Sequence, residues 1–321
     1  MREAIENFSR QLAYVPEVVH REKLLPFFRV AVMGMGGSRW PAYLIRNEVS
    51  GFPITLHNDY GLPQIPERDE QETLFVACSY SGDTEEVLSG FEAAIKEKLN
   101  VAVIAAGGTL IARAKELGIP YVELPDMNLQ PRMATGLLVK ALLAVMGKNE
   151  ELEKISSLAT AFNPLRYEPA GKELAMQLKN LVPVVYASRN NEALAYVWKI
   201  KFNETGKIPA FCNVVPELNH NEMTGFDRID ATKELSARFS FVFLEDEADD
   251  PRIKNRMKVL ASLYEKRGLP VRAVPLEGVT VYEKMFGSLV LADWTAYALA
   301  EMYGTEPEQV PMVEEFKKLI K

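Results

Sequence analysis

Cysteine is scarce in this chain of 321 residues, which contains only Cys78 and Cys212. Two cysteines in separate halves make neither a disulfide framework nor a cysteine zinc site, so we expect a reducing compartment. Long apolar runs are also missing, since no stretch approaches the roughly 18 residues needed to span a bilayer. Charged side chains interrupt the N-terminal segment, which lacks the apolar core of a signal peptide. The sequence therefore predicts a cytoplasmic protein without a membrane partner.

An excess of basic charge is absent as well. The chain has 37 Lys and Arg against 44 Asp and Glu, a formal net charge of −7, and this balance disfavours nucleic acid as a partner. It does not exclude an anionic small ligand, because backbone N–H groups hold anions locally. Apolar residues make up 48% of the chain, which excludes extensive disorder because enough apolar surface is available to offset the entropy of ordering.

Short apolar strand patterns alternate with helix patterns along the chain. The predicted strands are 28–35, 73–79, 100–106, 120–124, 182–188, 239–245 and 269–276. The predicted helices are 1–25, 85–98, 109–117, 135–146, 191–203, 251–267, 284–303 and 311–321. Continuous apolar strands between helices are typical of a parallel sheet that helices cover on both faces. A similar order of strand, small-residue turn and helix begins at Val30 and at Pro183, which indicates two α/β units in tandem.

Two domains also fit the length, at roughly 150 residues each. The polar stretch 147–170 is predicted to connect them. Ligands of open parallel sheets bind beyond the carboxyl ends of the strands. The turns 34–38 and 79–84 follow two such ends and are rich in glycine and hydroxyl side chains, so we expect the binding site there.

The segment SYSGDTEE supplies three hydroxyls, from Ser79, Ser81 and Thr84, directly after a predicted buried strand. The helix that follows begins with unpaired N–H groups of partial positive charge, and a phosphate binds to this combination of donors. A capped helix start is the alternative, with Asp83 or Thr84 as the N-cap residue and Glu86 completing a capping box. The segment predicts a phosphate site, and capping is compatible with it.

The turn GMGGS (34–38) ends the first predicted strand, and its glycines let a ligand approach the backbone closely. It is not a dinucleotide fingerprint, because Arg39 and the residues after it do not supply the further glycine of G-x-G-x-x-G. Trp40 follows, and we expect it to narrow the mouth of the pocket. A glycine turn without a ligand is the alternative.

The segment from Asn203 to Glu222 places two carboxylates, Glu204 and Glu222, and a histidine, His220, within a short window. A metal site is only weakly supported, because the motif HNE lacks the i,i+4 histidine pair of a helical zinc site. We favour a general base together with an acid or base for ring opening. Solvated carboxylates and an exposed or structural histidine are the alternative.

Five segments together resemble the bifunctional phosphoglucose/phosphomannose isomerase family. They are GMGGS, SYSGDTEE, QPRMATG (130–136), YVWKIKFNETGKIPAF (196–211) and PELNHNE (216–222). The resemblance implies an α/β fold of two tandem sugar-isomerase (SIS) domains, each a doubly wound, mostly parallel sheet flanked by helices. It places the phosphate loops in domain 1–150, and the catalytic Glu and His with the C-terminal helix in domain 151–321.

The resemblance also implies roles for individual residues in an aldose–ketose isomerase. Phosphate binding falls to the following residues: Gly36, Gly37, Ser38, Ser79, Ser81 and Thr84. Glu204 moves the proton between C1 and C2, and Arg132 stabilises the enediolate. His220 opens the sugar ring, and Lys317, or alternatively Lys318, completes the site. No metal or cofactor is implied, and the partners are a sugar phosphate and a second copy of the chain in a homodimer with sites at the subunit interface.

Two other functions use related domains. A glucosamine-6-phosphate deaminase is the first, whereas the related amidotransferase would need an N-terminal glutaminase with a leading cysteine, which we do not expect here. A sugar-phosphate-sensing regulator is the second. We disfavour it because the first predicted strand begins near Phe28, which leaves no room for a DNA-binding domain, and because the charge is acidic.

Overall fold

All strands in the computed structural model, which describes residues 1–49 and 53–320, pair in parallel within two separate sheets. One sheet belongs to a unit that spans Asn7–Phe162, and the other belongs to a unit that contains Met1–Glu6 and the chain from Asn163 onward. The parallel α/β fold expected from the sequence is confirmed. The division between the units falls twelve residues later than the predicted position 150.

The first sheet has the strand order β2-β1-β3-β4-β5. Its strands are β1 (Arg29–Met33), β2 (Ile54–His57), β3 (Thr73–Cys78), β4 (Asn100–Ala105) and β5 (Tyr121–Glu123). Every residue of β3 and β4 is buried, as the unbroken apolar runs of these strands predict. The chain runs from β1 outward to β2 on one side, and then continues from β3 to β4 on the other. The direction of winding therefore changes between β1 and β3, and such a switch point is where ligands bind.

Helices and a buried cluster surround this sheet. The chain begins with α1 (Arg2–Glu6), which belongs to the other unit. The helices of this unit are α2 (Ser9–Ala13), α3 (Trp40–Ile45), α4 (Glu67–Glu70), α5 (Glu85–Lys96), α6 (Gly108–Leu117), α7 (Thr135–Val145) and α8 (Asn149–Leu158). Side chains of β3, β4, α5 and α6 share one apolar cluster that contains Phe75, Phe91 and Leu110. Packing in this cluster fixes α5 and α6 directly after the turns at the ends of β3 and β4.

The N-terminal segment differs from the single helix predicted over the first 25 residues. Two one-turn helices, α1 and α2, end at Ala13, and Val19 then pairs with Tyr121 in an isolated antiparallel bridge. Pro16 explains the change, because the residue before a proline is disfavoured in the helical conformation. The predicted apolar stripe is nevertheless present, since its helical members Ile5 and Leu12 are buried.

The second sheet repeats the plan of the first, with the order β7-β6-β8-β9. Its strands are β6 (Val182–Ser188), β7 (Phe211–Val215), β8 (Phe239–Glu245) and β9 (Val271–Pro275), and its helices are α9 (Glu168–Leu178), α10 (Glu192–Glu204), α11 (Pro251–Lys266), α12 (Val281–Tyr303) and α13 (Pro311–Leu319). The winding direction again changes between the first and the second long strand, β6 and β8. Within the described part of the chain, no helix has both the length and the apolarity to cross a membrane.

The sequence missed two strands and misjudged one connection. Strands β2 and β7 lie at sheet edges and are only partly buried, so neither has the unbroken apolar run that predicted the others. The stretch 147–170 is mostly helical, because it contains α8 and the start of α9. The predicted last helix reached residue 321, which lies outside the described residues.

A buried lysine in α7 gives the first unit a pH-dependent stability. Lys140 is 1% exposed, and its ammonium donates to the Leu12 carbonyl at 2.5 Å and to the Ser156 hydroxyl at 2.7 Å. Burial lowers the pKa of Lys140 from 10.5 to about 8. The unfolded chain therefore binds more protons than the folded chain between these two values, so the free energy of unfolding rises with pH across that range, by about 2–3 kcal/mol. Denaturant titrations from pH 7.5 to 10.5 measure this rise.

The control for this prediction is a pair of Lys→Met variants. Lys140→Met removes the titrating group and should lack the rise, whereas Lys96→Met removes an exposed lysine of α5 and should retain it. Equal slopes for the two variants would contradict the prediction. Comparing slopes removes the contribution of the tyrosines that titrate at alkaline pH, because those side chains are common to both variants.

Candidate active site

Two turns meet at the switch point of the first sheet. The turn Gly36–Ser38 follows β1, and the segment 79–84 follows β3, its neighbour in the sheet. The backbone N–H of Tyr80 donates to the Ser38 hydroxyl at 2.8 Å, and Ser38 is buried. One hydrogen bond therefore connects the two turns that the sequence predicted as binding turns.

Three hydroxyls form a cluster in the second turn. The Ser79 hydroxyl lies 2.7 Å from the Thr84 hydroxyl and 3.4 Å from the Ser81 hydroxyl, and it accepts the N–H of Gly82 at 3.1 Å. Ser79 is buried, Thr84 is half-buried and Ser81 is exposed, so the cluster runs from the interior to the surface. Such a row of donors at the start of a helix suits the oxygens of a phosphate.

The Thr84 side chain does not cap the start of α5, so this form of the capping alternative is wrong. Thr84 is the residue before α5 and makes no side-chain capping hydrogen bond. The carboxylate of Asp83 instead accepts from the Thr109 N–H at 2.8 Å and from the Thr109 hydroxyl at 2.7 Å. Thr109 lies in the first turn of α6, so Asp83 fastens the loop to the next helix.

The shape of this loop depends on Gly82. Its φ is +78°, and a Cβ placed there would lie 1.9 Å from the carbonyl oxygen of Gly107. Any side chain would therefore be strained in its backbone conformation and would also collide with the backbone after β4. The glycine allows the loop to rest directly on the turn at Gly107 and Gly108.

Gly37 allows the turn that contains Arg132 to pack against the glycine turn Gly36–Ser38. A Cβ on Gly37 would lie 2.9 Å from the carbonyl of Pro131, so only glycine lets the turn Pro131–Met133 come this close. Arg132 lies in that turn and is 2% exposed. The structure therefore combines the glycine turn, the hydroxyl cluster and a buried guanidinium within one unit.

Trp40 does not narrow the mouth of a pocket, so this prediction is wrong. It has no exposed surface, and its indole N–H donates to the Thr135 hydroxyl at 3.1 Å. A large ring that packs in the core gains more from burial than it would at an open rim. Trp40 and Thr135 connect α3 to α7, behind the glycine turn.

Glu204 is the last residue of α10 and is half-buried. Two buried polar contacts fasten α10 to α12. The Trp198 indole N–H donates to the Ser288 hydroxyl at 2.9 Å, and the Lys201 ammonium pairs with Asp293 at 2.5 Å. The carboxylate thus extends from a helix end that the fold holds firmly.

His220 lies at the end of the short helical turn Glu217–His220, which follows β7. Its side chain is exposed and lines a cavity of about 640 Å³ together with Pro216 and residues at the start of α11, among them Arg252 and Arg256. The imidazole is therefore accessible to a ligand or to another chain.

Lys317 is an exposed residue of α13, and its ammonium donates to Glu314 at 3.0 Å. Lys318 is exposed as well. Glu204, His220 and Lys317 all belong to the second unit, on three different elements, while the predicted phosphate residues and Arg132 belong to the first. The sequence-predicted site residues thus form one cluster in the first unit and three separate positions in the second.

Known proteins are similar to this chain over nearly its whole length. A bifunctional phosphoglucose/phosphomannose isomerase of Aquifex aeolicus is 32% identical, with 99% of this chain and 97% of that protein covered. The enzyme of the same name from Thermoplasma volcanium is 31% identical over 98% of this chain and 99% of its own. The chain belongs to the bifunctional phosphoglucose/phosphomannose isomerase family.

Two further comparisons concern the C-terminal domain and the fold. The family model for the bacterial phospho-glucose isomerase C-terminal SIS domain matches residues 168–320 of this isomerase-family chain. The crystal structure of glucosamine-6-phosphate deaminase from Thermotoga maritima has a TM-score of 0.69, covers 96% of this chain and 95% of that one, and is 15% identical. Identity at that level shows the shared fold alone.

The sequence did not reveal the polar residues that hold these loops in place. Gln11 is 1% exposed; its amide donates to the Met133 carbonyl at 2.7 Å and its oxygen accepts the Gly136 N–H at 3.0 Å, so it fixes the turn that contains Arg132. The sequence feature that could have identified Gln11 is its position as a polar residue beside the apolar stripe of α2. Across residues 1–49 and 53–320, no group of three or more His, Cys, Asp or Glu side chains is arranged to hold a metal ion.

Proposed function

We propose that this chain is a sugar-phosphate isomerase that interconverts glucose 6-phosphate, and also mannose 6-phosphate, with fructose 6-phosphate through an enediolate. The observation that carries the proposal is the hydroxyl cluster of Ser79, Ser81 and Thr84 in a chain of this isomerase family. The cluster follows β3 at the switch point of the first sheet, which is where open parallel sheets bind their ligands. Relatives that cover the full chain have this bifunctional name.

The phosphate is proposed to bind to these hydroxyls, to Ser38 and to the backbone of Gly36 and Gly37. Neutral hydroxyls and N–H groups at a helix start hold an anion without a cationic surface, which is consistent with the net charge of −7. Phosphate binding positions the reacting carbons, which lie at the other end of the sugar.

Proton transfer is assigned to Glu204, because a carboxylate takes a proton from C2 and returns it to C1 when both carbons lie within its reach. The enediolate oxygen carries negative charge, and the buried guanidinium of Arg132 is the fixed positive charge proposed to stabilise it. His220 is proposed to move the proton that opens the ring, since its imidazole is accessible.

A homodimer is proposed to complete the site. Helix α13 has no buried residue, and its exposed apolar side chains are Met312, Val313, Phe316 and Leu319. An exposed apolar face of this kind favours packing against another chain, and that packing would carry Lys317 into a site at the subunit interface. The cytoplasmic location expected from the sequence also stays a prediction.

The function is tested by assaying the purified protein with glucose 6-phosphate and with mannose 6-phosphate, coupled to detection of fructose 6-phosphate. We expect turnover of both aldoses, and the same rates after EDTA treatment, because none of the assigned steps uses a metal. Absence of turnover with either aldose phosphate would contradict the proposal. Release of ammonia from glucosamine 6-phosphate would favour the deaminase, for which the structural likeness supplies only the fold.

Two threonine variants connect the turnover to the hydroxyl cluster. Thr84→Val keeps the shape of the side chain and removes one hydroxyl, so kcat/KM should fall about 10- to 100-fold, because a charged ligand loses a donor and Ser79 loses its partner. Thr232→Val removes an exposed hydroxyl from the second unit and should leave kcat/KM unchanged. An unchanged kcat/KM for Thr84→Val would place the phosphate elsewhere.

A further inference from the structure

Glu222 connects the loop that contains His220 to the sheet of the second unit. Its Oε1 accepts the Tyr186 hydroxyl at 2.5 Å, and its Oε2 accepts the Asn213 side-chain N–H at 2.5 Å. Tyr186 in β6 and Asn213 in β7 are register partners on adjacent strands, so the two donors lie side by side. Each carboxylate oxygen of Glu222 therefore holds a donor that comes from a rigid strand.

Tyr186 is itself fixed by its surroundings. It has no exposed surface, and its ring centroid lies 5.5 Å from that of Phe241 and 5.4 Å from that of Phe243. Burial raises the pKa of Tyr186 far above its ordinary value of 10, and the nearby Tyr264 and Glu222 raise it further. The hydroxyl therefore keeps its proton and remains the donor to the carboxylate.

The other side of the loop is anchored by an apolar side chain. Leu218 is fully buried and packs in the cluster that contains Tyr186 and Val215. His220 lies midway between Leu218 and Glu222, two residues from each, and its own side chain is exposed. A short segment held at both ends restricts the position of the residue between them.

We propose that Glu222 is a positioning residue that, together with Tyr186 and Asn213, fixes His220 where it opens the ring of the sugar phosphate. The inference rests on the proposed function, in which His220 performs ring opening and Glu204 performs proton transfer between the carbons. Glu222 takes no substrate proton, because both of its oxygens already serve the sheet. Loss of its contacts therefore slows ring opening and leaves the proton transfer at C1 and C2 intact.

The two steps are measured separately. Catalysed interconversion of the α and β anomers of glucose 6-phosphate, followed by exchange NMR, reports ring opening and closing. Solvent-deuterium exchange at C1 of 5-deoxyfructose 6-phosphate reports the proton transfer, because this ketose lacks the hydroxyl that closes the furanose ring and is always open. A misfolded protein would be slow in both measurements.

Tyr186→Phe and Tyr264→Phe form a matched pair of variants. Both remove one buried hydroxyl from the same aromatic cluster, and the hydroxyls lie 3.4 Å apart, but only that of Tyr186 contacts Glu222. Tyr186→Phe should slow anomer interconversion about tenfold, as expected for the loss of one hydrogen bond to a charged group, and should leave the exchange of the open ketose within about twofold of wild type. Tyr264→Phe should leave both rates unchanged.

Glu222→Leu removes both contacts and should slow anomer interconversion about 100-fold with the same sparing of exchange. Anomer interconversion at the wild-type rate in Tyr186→Phe would overturn the inference. An equal loss of both activities in Tyr186→Phe would also overturn it, because it would assign the tyrosine a purely structural role. A wild-type protein that converts no aldose phosphate would overturn the proposed function and the inference together.

Discussion

Glu204→Gln is expected to lose solvent-hydrogen exchange at C1 of fructose 6-phosphate by about 10³- to 10⁴-fold while still binding the sugar. The amide has the shape of the carboxylate but no basic oxygen, so the substrate fits and the proton stays on carbon. Helix α10 should not move, because Trp198 and Lys201 hold it to α12. The measurement is deuterium incorporation by NMR at saturating substrate, with affinity determined by isothermal titration calorimetry.

Glu265→Gln is the control for that experiment. Glu265 is an exposed carboxylate of α11 in the same unit, and its replacement changes the net charge by the same amount. Its exchange rate should equal that of the wild type. Exchange retained by Glu204→Gln would reject Glu204 as the base, and loss of binding together with exchange would assign it a binding role.

The parts of the fold that the sequence predicted are those that a continuous apolar pattern specifies. Strands β3 and β4 are buried at every residue, so their composition alone marks them as central strands. Strand β7 begins with the exposed Phe211 and includes the polar Asn213, which gives no such pattern. The extended conformation of β7 depends on its pairing with β6, and that pairing cannot be recognised from the residues of β7 alone.

In the candidate site, too, some features could be predicted from the sequence and others could not. The hydroxyl cluster was predictable, because Ser79, Ser81 and Thr84 are close in sequence and follow a recognisable strand. The contacts that fix the loops were not, since Gln11 and Met133 are 122 residues apart. Tertiary hydrogen bonds between distant segments leave no periodic trace in the sequence. The nature of the ligand is therefore easier to predict than the geometry that holds it.

Lys201→Met is expected to lower the free energy of unfolding by about 3–5 kcal/mol, because it leaves Asp293 as a buried charge without its lysine. The pair is 1% and 2% exposed, and its atoms lie 2.5 Å apart between α10 and α12. Lys254→Met is the matched control, since Lys254 pairs with Glu247 at 2.9 Å on the surface of the same unit. That variant should lose less than about 1 kcal/mol. Guanidinium titrations followed by fluorescence and circular dichroism measure both.

The pH dependence of the deficit distinguishes an isolated charge from a packing defect. Protonation removes the charge of a buried carboxylate and with it the free-energy cost of its burial. The folded Lys201→Met protein should therefore bind protons more tightly than its unfolded chain, and its stability deficit should shrink as the pH falls. A deficit that is independent of pH would instead mean that the methionine packs poorly. Lys201 lies about one helical turn before Glu204, so loss of the ion pair is also expected to disturb the helix end from which the proposed base extends. For that reason, conditions that restore the stability of the variant need not restore its proton-exchange rate.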